Sequence, residues 1–276
     1  MLLIKASPDA FFVPANGKNM FIDSHCHLNF SCFNEQREAL LKQLQEQDIK
    51  RLVIPGTAPG SWSDIIELCA VHKQLYYGLG CHPHFITTFQ ESDFQYLEKL
   101  LQNSGTQCVA LGEIGLDKFA DADMQLQEQV FIRQVQLAQK LQLPVILHVV
   151  KKQGRVLEIL KEQKFTCGGV YHAFSGSFDV ACAFIALGFK IGVGAVITYP
   201  NSTRTKTTIS QLPVESLVLE TDAPDMALYQ QAERYNSPLN VISVFESLAA
   251  LRSESKNCLA AQIYKNSVSI FSLDND

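Results

Sequence analysis

The stretch FIDSHCHL at residues 21–28 begins as an apolar β-strand and ends in polar side chains, and it restricts the fold more than any other part of the chain. Side chains alternate between the two faces of a strand, so His25 and His27 lie on the same side of the extended chain. Two imidazoles on one side can bind a single metal ion. Cys26 points away from them and is expected to pack as a small buried residue.

Seven further segments of the chain are short and apolar with β-strand character, and helical stretches separate them. Together with the first, the predicted strands are residues 21–25, 51–56, 75–80, 108–114, 144–149, 168–174, 189–194 and 217–222. Amphipathic helices are expected between them, for example over residues 35–47 and 125–143, and two final helices over 237–251 and 257–271. This alternation predicts an α/β fold, a closed (β/α)8 TIM barrel, with a doubly wound sheet as the structural alternative.

Length and composition agree with one globular barrel. The 276 residues are 47% apolar and 18% charged, and no internal repeat or linker divides them. We therefore expect a single domain over residues 20–276, preceded by a flexible N-terminal extension over residues 1–19. No apolar run approaches the roughly 20 residues that span a bilayer, so no membrane association is expected.

Charge and cysteine content restrict the location and the partners of the protein. A net charge of -5 gives no general attraction for nucleic acid, so a phosphate ligand would have to be bound locally. The eight cysteines are scattered without a CxxC pair, and residues 1–19 lack the basic region that begins a secretory signal. These features predict a cytoplasmic protein, and no motif indicates an obligate protein partner.

Polar residues that suit metal binding follow the predicted strands. In a barrel of this kind the active site forms at the carboxyl ends of the strands. Six of the seven histidines lie at such ends, together with three acidic residues; the set is Asp23, His25, His27, His82, His84, Glu113, His148, His172 and Asp222. Nitrogen and oxygen donors without thiolate favour zinc, manganese or magnesium. The sequence therefore predicts a metal centre at this end of the barrel.

The same stretches resemble the TatD family of metal-dependent hydrolases and deoxyribonucleases, among the amidohydrolase-like barrels. The similarity runs from Phe21 over nearly the whole chain and is carried by FIDSHCHL, GLGCHPH, LGEIGLD, LPVILHV, YHAFSGS and ETDAPD, with the closest likeness to the YjjV-like branch. The resemblance implies two divalent metal ions (Zn, Mn or Mg), the first bound by His25, His27 and Asp222, the second by His148 and His172, and both bridged by Glu113. In two-metal hydrolases such ions activate a water molecule, and we expect the Asp222 carboxylate to take its proton.

One position departs from the family pattern. Members commonly carry an arginine two residues after the strand-five histidine, where this chain has Val150 followed by Lys151 and Lys152. Arginine binds phosphate through two donors, whereas lysine supplies a point charge, so Lys151 is the expected substitute. We also expect His82 and His84 to contact substrate. The turn that begins at Ser175 either offers backbone donors to a phosphate or caps a helix.

Further residues around the predicted site have two interpretations each. Asp23 and Glu220 either orient ligand histidines or pack. Four cations form a basic rim or are solvated surface charge: Lys118, Arg204, Lys206 and Arg234. Four aromatic residues stack a nucleic-acid base or are buried against the barrel: Phe85, Phe119, Phe174 and Tyr199.

The leading interpretation of the sequence is a divalent-metal-dependent phosphodiesterase, and within that class a deoxyribonuclease, whose substrate is DNA or a small phosphodiester. Hydrolysis of a small amide, ester or lactone by the same centre is the second interpretation, and Val150 is the residue that favours it. A barrel that binds metal as a non-catalytic scaffold is the third. The presence of all six expected ligand residues argues against the scaffold.

Overall fold

Eight parallel strands follow one another around the sheet in sequence order. The computed structural model of the chain describes residues 19–273. Its strands are β1 (Phe21–Asp23), β2 (Ile49–Pro55), β3 (Leu75–Leu79), β4 (Cys108–Asp117), β5 (Val145–Val150), β6 (Gly169–Tyr171), β7 (Phe189–Val193) and β8 (Leu217–Leu219). The first and last strands meet where the Ser24 backbone N–H donates to the Leu219 carbonyl at 2.9 Å. The predicted (β/α)8 barrel is confirmed, and the doubly wound alternative is wrong.

Helices follow the strands and cover the outside of the barrel. They are α1 (Arg37–Glu46), α2 (Pro59–Val71), α3 (Glu91–Gln102), α4 (Met124–Leu141), α5 (Gln153–Glu162), α6 (Phe178–Ile185), α7 (Thr203–Gln211), α8 (Val241–Ala249) and α9 (Lys256–Phe271). The helix expected over 237–251 begins as a separate 3-10 turn, Pro238–Asn240. Within residues 19–273 no helix is both long enough and apolar enough to cross a membrane. The expected extension over residues 1–19 lies, apart from Asn19, outside the described residues.

The interior of the barrel is apolar at the amino ends of the strands. One buried cluster gathers side chains of the strands and of α9: Ile22, Val53, Tyr76, Val109, Ala110, Ile146, Val170, Val218, Tyr264, Phe271 and Leu273. Because side chains of a strand alternate with a period of two, the next residue on the same face lies two positions later. That residue is His148 after Ile146, His172 after Val170 and Glu220 after Val218. The barrel therefore has an apolar layer at its amino end and a polar layer at its carboxyl end.

Strand β4 continues three residues beyond its predicted end at residue 114. Gly115, with φ of +153°, lies beside His148 in the register of β4 and β5. A Cβ atom at Gly115 would lie 1.8 Å from the His148 carbonyl oxygen, so glycine is required for β4 to pass β5 this closely. The glycine therefore permits the strand to continue and brings Asp117 to the carboxyl end of the barrel.

Candidate metal centre

Four donor atoms from three strand ends form a first cluster: His25 Nε2, His27 Nε2, Glu113 Oε2 and Asp222 Oδ1. The His25 nitrogen lies 3.3 Å from the His27 nitrogen, 3.4 Å from the Glu113 oxygen and 3.3 Å from the Asp222 oxygen. The His27 nitrogen lies 3.8 and 3.5 Å from the same two oxygens. Donors around a tetrahedral zinc ion with bonds of about 2.1 Å are separated by roughly 3.4 Å. His25, His27 and Glu113 therefore fit a divalent ion, and the Asp222 oxygen lies beside both imidazoles.

A second cluster surrounds the other oxygen of the same glutamate, Glu113 Oε1. His148 Nδ1 lies 3.0 Å from it, His172 Nε2 3.4 Å and His82 Nε2 3.7 Å. Each carboxylate oxygen of Glu113 thus belongs to a different cluster, which is the arrangement of a carboxylate that bridges two ions. His82, expected to contact substrate, lies here among the donor atoms of the second cluster.

Buried charges keep the carboxylates of both clusters ionised. Burial would raise the pKa of Glu113, but the surrounding His25, His172 and His82 outweigh burial and hold that pKa well below its usual value. Asp222 is also buried, and the neighbouring His172 and His27 lower its pKa. Conversely, burial would lower the pKa of His172, but the nearby carboxylates raise it to about 10. The protein without metal therefore carries protons that a bound ion displaces.

The backbone at three strand ends has left-handed φ angles that non-glycine residues adopt infrequently. They occur at Lys151 (φ 58°), Ala173 (φ 47°) and Asp222 (φ 58°), directly after or near the ends of β5, β6 and β8. Such conformations cost energy and are concentrated at functional sites. At Asp222 the backbone N–H donates to the His25 carbonyl at 2.8 Å. This bond links two residues of the first cluster across the junction of β1 and β8.

A cleft of about 290 Å³ opens above the two clusters. Besides the donor residues, its lining consists of Phe30, Thr57, His84, Phe85 and Asp225. No lysine or arginine of residues 19–273 contributes to this lining. The immediate surroundings of the clusters thus supply imidazoles, carboxylates and aromatic rings, but no permanent cation.

The residues that we expected to contact substrate outside the two clusters lie at different distances from the cleft. His84 lies at the mouth of the cleft with 47% of its side chain exposed. Lys151 and Ser175 are exposed and do not line the cleft, and the residue that caps α6 is Ser177. The four rim cations are Lys118, Arg204, Lys206 and Arg234, and none of them lines the cleft either.

Three of the four aromatic residues considered for base stacking are exposed to solvent. The exposed fraction is 45% for Phe85, 67% for Phe119 and 37% for Tyr199. Phe174 is 2% exposed, and its ring packs against Tyr171 at 5.1 Å between centroids. For Phe174 the structure therefore shows the second alternative, burial against the barrel.

The two acidic residues behind the site are completely buried. Asp23 accepts hydrogen bonds from the His25 backbone N–H at 3.2 Å and from the Thr221 hydroxyl at 2.6 Å. It holds the backbone of His25 in place rather than the imidazole. Glu220 Oε1 accepts from the Ala173 N–H at 2.5 Å and lies 3.5 Å from His172 Nδ1. Asp23 and Glu220 thus each lie next to a donor histidine.

Sequence reasoning missed Asp117. Its Oδ2 accepts hydrogen bonds from His148 Nε2 at 2.9 Å and from His84 Nε2 at 3.0 Å. A signal for this residue is present in GEIGLD, because Glu113, Gly115 and Asp117 follow the period of two of a strand. If the predicted strand is extended through Gly115, Asp117 lies on the same face as Glu113, and a second carboxylate is predicted there.

The fold and these donors together define the class of protein: a metal-dependent hydrolase built on a (β/α)8 barrel. The family model described as TatD related DNase matches residues 22–272, and the chain belongs to the TatD family. It is similar to an uncharacterized metal-dependent hydrolase of Escherichia coli (strain K12), YjjV, with 36% identity over 255 residues, covering 92% of this chain and 98% of the relative. An uncharacterized metal-dependent hydrolase of Haemophilus influenzae is 34% identical over 260 residues, covering 91% and 99%.

Solved structures give the same relationship. The crystal structure of YjjV, a TatD homolog from Escherichia coli, matches with a TM-score of 0.88 at 36% identity, over 92% of this chain and 98% of that one. The family and branch that the motifs indicated are confirmed.

Proposed function

We propose that the protein is a phosphodiesterase that hydrolyses DNA or a small phosphodiester, with two divalent ions (Zn, Mn or Mg) held by His25, His27, Glu113, His148, His172 and Asp222. The observation that carries the proposal is the position of Glu113, whose two oxygens belong to separate donor clusters. Two bound ions would activate a water molecule and neutralise the charge that develops on a phosphoryl oxygen.

The Asp222 carboxylate is the proposed acceptor of the proton from the attacking water. Its side chain is 14% exposed, lines the cleft, and has one oxygen in the first cluster. The lowered pKa of Asp222 keeps it ionised at neutral pH, as an acceptor must be. Glu113 remains a ligand throughout, because both of its oxygens are engaged.

Substrate would be held by groups of the cleft rather than by a permanent cation. His82 and His84 can donate to phosphate oxygens, and the exposed ring of Phe85 in the cleft can stack a base. Phe119 is exposed outside the cleft lining and can add a second stacking ring. Lys151, exposed after β5, would attract an anion from outside the cleft. A DNA substrate is favoured by the description of the family, TatD related DNase.

One observation favours a second candidate, hydrolysis of a small amide, ester or lactone. The cleft lining holds no lysine or arginine of residues 19–273, and Val150 stands where a bidentate phosphate ligand would be expected. An uncharged carbonyl substrate needs no such residue. The cytoplasmic location and the absence of an obligate protein partner remain predictions.

The deciding experiment measures hydrolysis of single-stranded DNA, of a chromogenic phosphodiester and of a chromogenic ester with Mg²⁺, Mn²⁺ or Zn²⁺. Asp222→Asn is compared with Asp121→Asn, which removes the same charge from an exposed loop position. We expect phosphodiester hydrolysis that falls at least about 100-fold in Asp222→Asn and is unchanged in Asp121→Asn. Ester hydrolysis without phosphodiester hydrolysis would establish the second candidate. Full activity of Asp222→Asn would refute the role of this residue.

A further inference from the structure

The Asp117 Oδ2 atom accepts hydrogen bonds from two imidazoles, one at the end of a strand and one in the segment that follows another strand. His148 Nε2 donates at 2.9 Å from the end of β5, and His84 Nε2 donates at 3.0 Å from the segment after β3. We propose that Asp117 is a positioning residue that selects the metal-binding nitrogen of His148 and holds His84 at the mouth of the cleft. This inference rests on the proposed role of His148 as a metal ligand.

The selection follows from the chemistry of a neutral imidazole. Such a ring has one N–H donor and one acceptor nitrogen, and an ionised carboxylate can only accept. His148 lies between two carboxylates, with Nε2 facing Asp117 and Nδ1 facing Glu113. An ion bound to Nδ1 would leave the one ring proton on Nε2, where the Asp117 carboxylate accepts its hydrogen bond. His148 Nδ1 is the atom that lies 3.0 Å from Glu113 Oε1 in the second cluster. Asp117 thereby directs the correct nitrogen of His148 to the ion.

Asp117 is itself fixed by bonds that do not involve either histidine. Its Oδ1 accepts from the Phe119 backbone N–H at 2.7 Å. The buried side chain of Gln127 accepts from the Asp117 backbone N–H at 2.8 Å and donates to the Asp117 carbonyl at 2.9 Å. Only 6% of the Asp117 side chain is exposed. A carboxylate held in this way can impose an orientation on the two rings that it contacts.

His84 has a different environment from His148 although both donate to the same oxygen. It lies at the mouth of the cleft, and within residues 19–273 its side chain hydrogen-bonds to Asp117. Its place beside the substrate therefore depends on Asp117. A change at Asp117 should affect both metal binding, through His148, and the Michaelis constant, through His84. A change at His84 should affect the Michaelis constant alone.

A merely structural role would be to anchor the loop after β4 through the Phe119 N–H. Asp117→Asn separates the two roles, because asparagine keeps one carbonyl oxygen for Phe119 and turns an NH2 donor toward the imidazoles. Each ring then has to accept through Nε2, which places its proton on Nδ1. In His148 that proton occupies the nitrogen needed by the ion.

The test measures Zn²⁺ affinity by competition with a chromophoric chelator, in the wild type and in four variants: Asp117→Asn, His84→Gln, His148→Asn and Asp121→Asn. We expect Asp117→Asn to bind one of two ions about 10- to 100-fold more weakly. In long-range 1H–15N NMR spectra recorded with Zn²⁺, the single ring proton of His148 should lie on Nε2 in the wild type and on Nδ1 in Asp117→Asn. His84→Gln should raise KM with unchanged Zn²⁺ affinity, and Asp121→Asn should match the wild type.

Asp117→Ser provides a second variant if the asparagine variant does not fold. A serine hydroxyl can still accept from the backbone N–H two residues later but is too short to reach the imidazoles. The same loss of affinity is expected. Suppose that a folded Asp117 variant has normal Zn²⁺ affinity and normal KM, while His148→Asn loses an ion. This result would overturn the inference and leave the proposed function standing. Two ions bound normally by His148→Asn would refute the ligand role of His148 and with it the inference.

Discussion

The two ends of the barrel interior are built from the same strands but differ in chemistry. At the amino end, Ile22, Val53 and Val218 pack against Phe271 of α9 and exclude water. At the carboxyl end, histidines and carboxylates face one another within 2.9–3.8 Å. The polar layer begins only two positions along a strand from the apolar one, as His148 follows Ile146. The comparison indicates that stability and chemistry are assigned to different layers of one barrel.

The two layers also respond differently to loss of a side chain. Burial of apolar groups stabilises the folded state by about 25 cal/mol for each Å² removed from water. A buried charge destabilises the fold unless it is paired or binds a metal. Substitutions at the amino end should therefore reduce stability and spare activity, whereas substitutions at the carboxyl end should reduce activity first.

The largest effect is expected for Glu113→Gln. The change removes the one carboxylate shared by both clusters, and loss of metal-assisted catalysis worth about 4–5 kcal/mol corresponds to roughly a thousandfold to several-thousandfold lower kcat. Stability in the presence of a chelator should also fall, because the buried imidazoles lose the carboxylate with which they pair. Initial rates with each metal and urea unfolding with chelator measure the two quantities. A variant that is inactive because it is unfolded would contradict the division between layers.

The matching change at the amino end is Phe271→Ala. Phe271 is 1% exposed in the apolar cluster, and truncation of such a ring costs about 3 kcal/mol of unfolding free energy. Urea unfolding should show this loss, while kcat and Zn²⁺ affinity, measured below the unfolding transition, should equal those of the wild type. A fall in kcat would mean that the two layers are energetically coupled.

A pair of glycines gives a smaller and more local comparison. A Cβ atom at Gly192 would lie 2.4 Å from Glu220 Oε2, whereas a Cβ atom at Gly105 would have no atom within 4 Å. Gly192→Ala should displace Glu220 from His172, reduce turnover and cost about 1–3 kcal/mol. Gly105→Ala should change stability by less than about 0.5 kcal/mol and leave turnover unchanged. Equal behaviour of the two variants would show that Glu220 is free to move.

The smallest effect concerns pH and Lys190, which lies beside Val170 in the register of β6 and β7. Burial lowers the pKa of Lys190 below its usual 10.5, although its ammonium donates to the Glu215 carbonyl at 2.7 Å. Between the lowered pKa and 10.5 the unfolded chain binds more protons, so stability from this group rises with pH. Lys190→Met should flatten that alkaline rise. Urea unfolding at several pH values would show it, and an unchanged slope would exclude Lys190 as the source.

The sequence predicts the barrel and most of the donor residues because both depend on local patterns. Each β-rich run is followed by helical periodicity, and the polar residues end those runs. The sequence does not predict Asp117 because the expected strand ends at residue 114, before Gly115, whereas the close passage of β5 requires a glycine within the strand. The burial of Phe174 depends on Tyr171 and on the turn of the chain after β6, which no local pattern encodes. Side-chain direction in the loops, as for Lys151, also depends on tertiary contacts.

The backbone hydrogen bond between His25 and Asp222 determines how late in synthesis the first cluster can form. These residues lie near opposite ends of the sequence, and the Asp222 N–H donates to the His25 carbonyl where the last strand meets the first. A ribosome releases β1 early and β8 late, and domains fold as their segments emerge. The first donor cluster is thus incomplete until nearly the whole chain has been made. A nascent or truncated chain would have no complete first cluster, so an ion bound there would report that the ring of strands has closed.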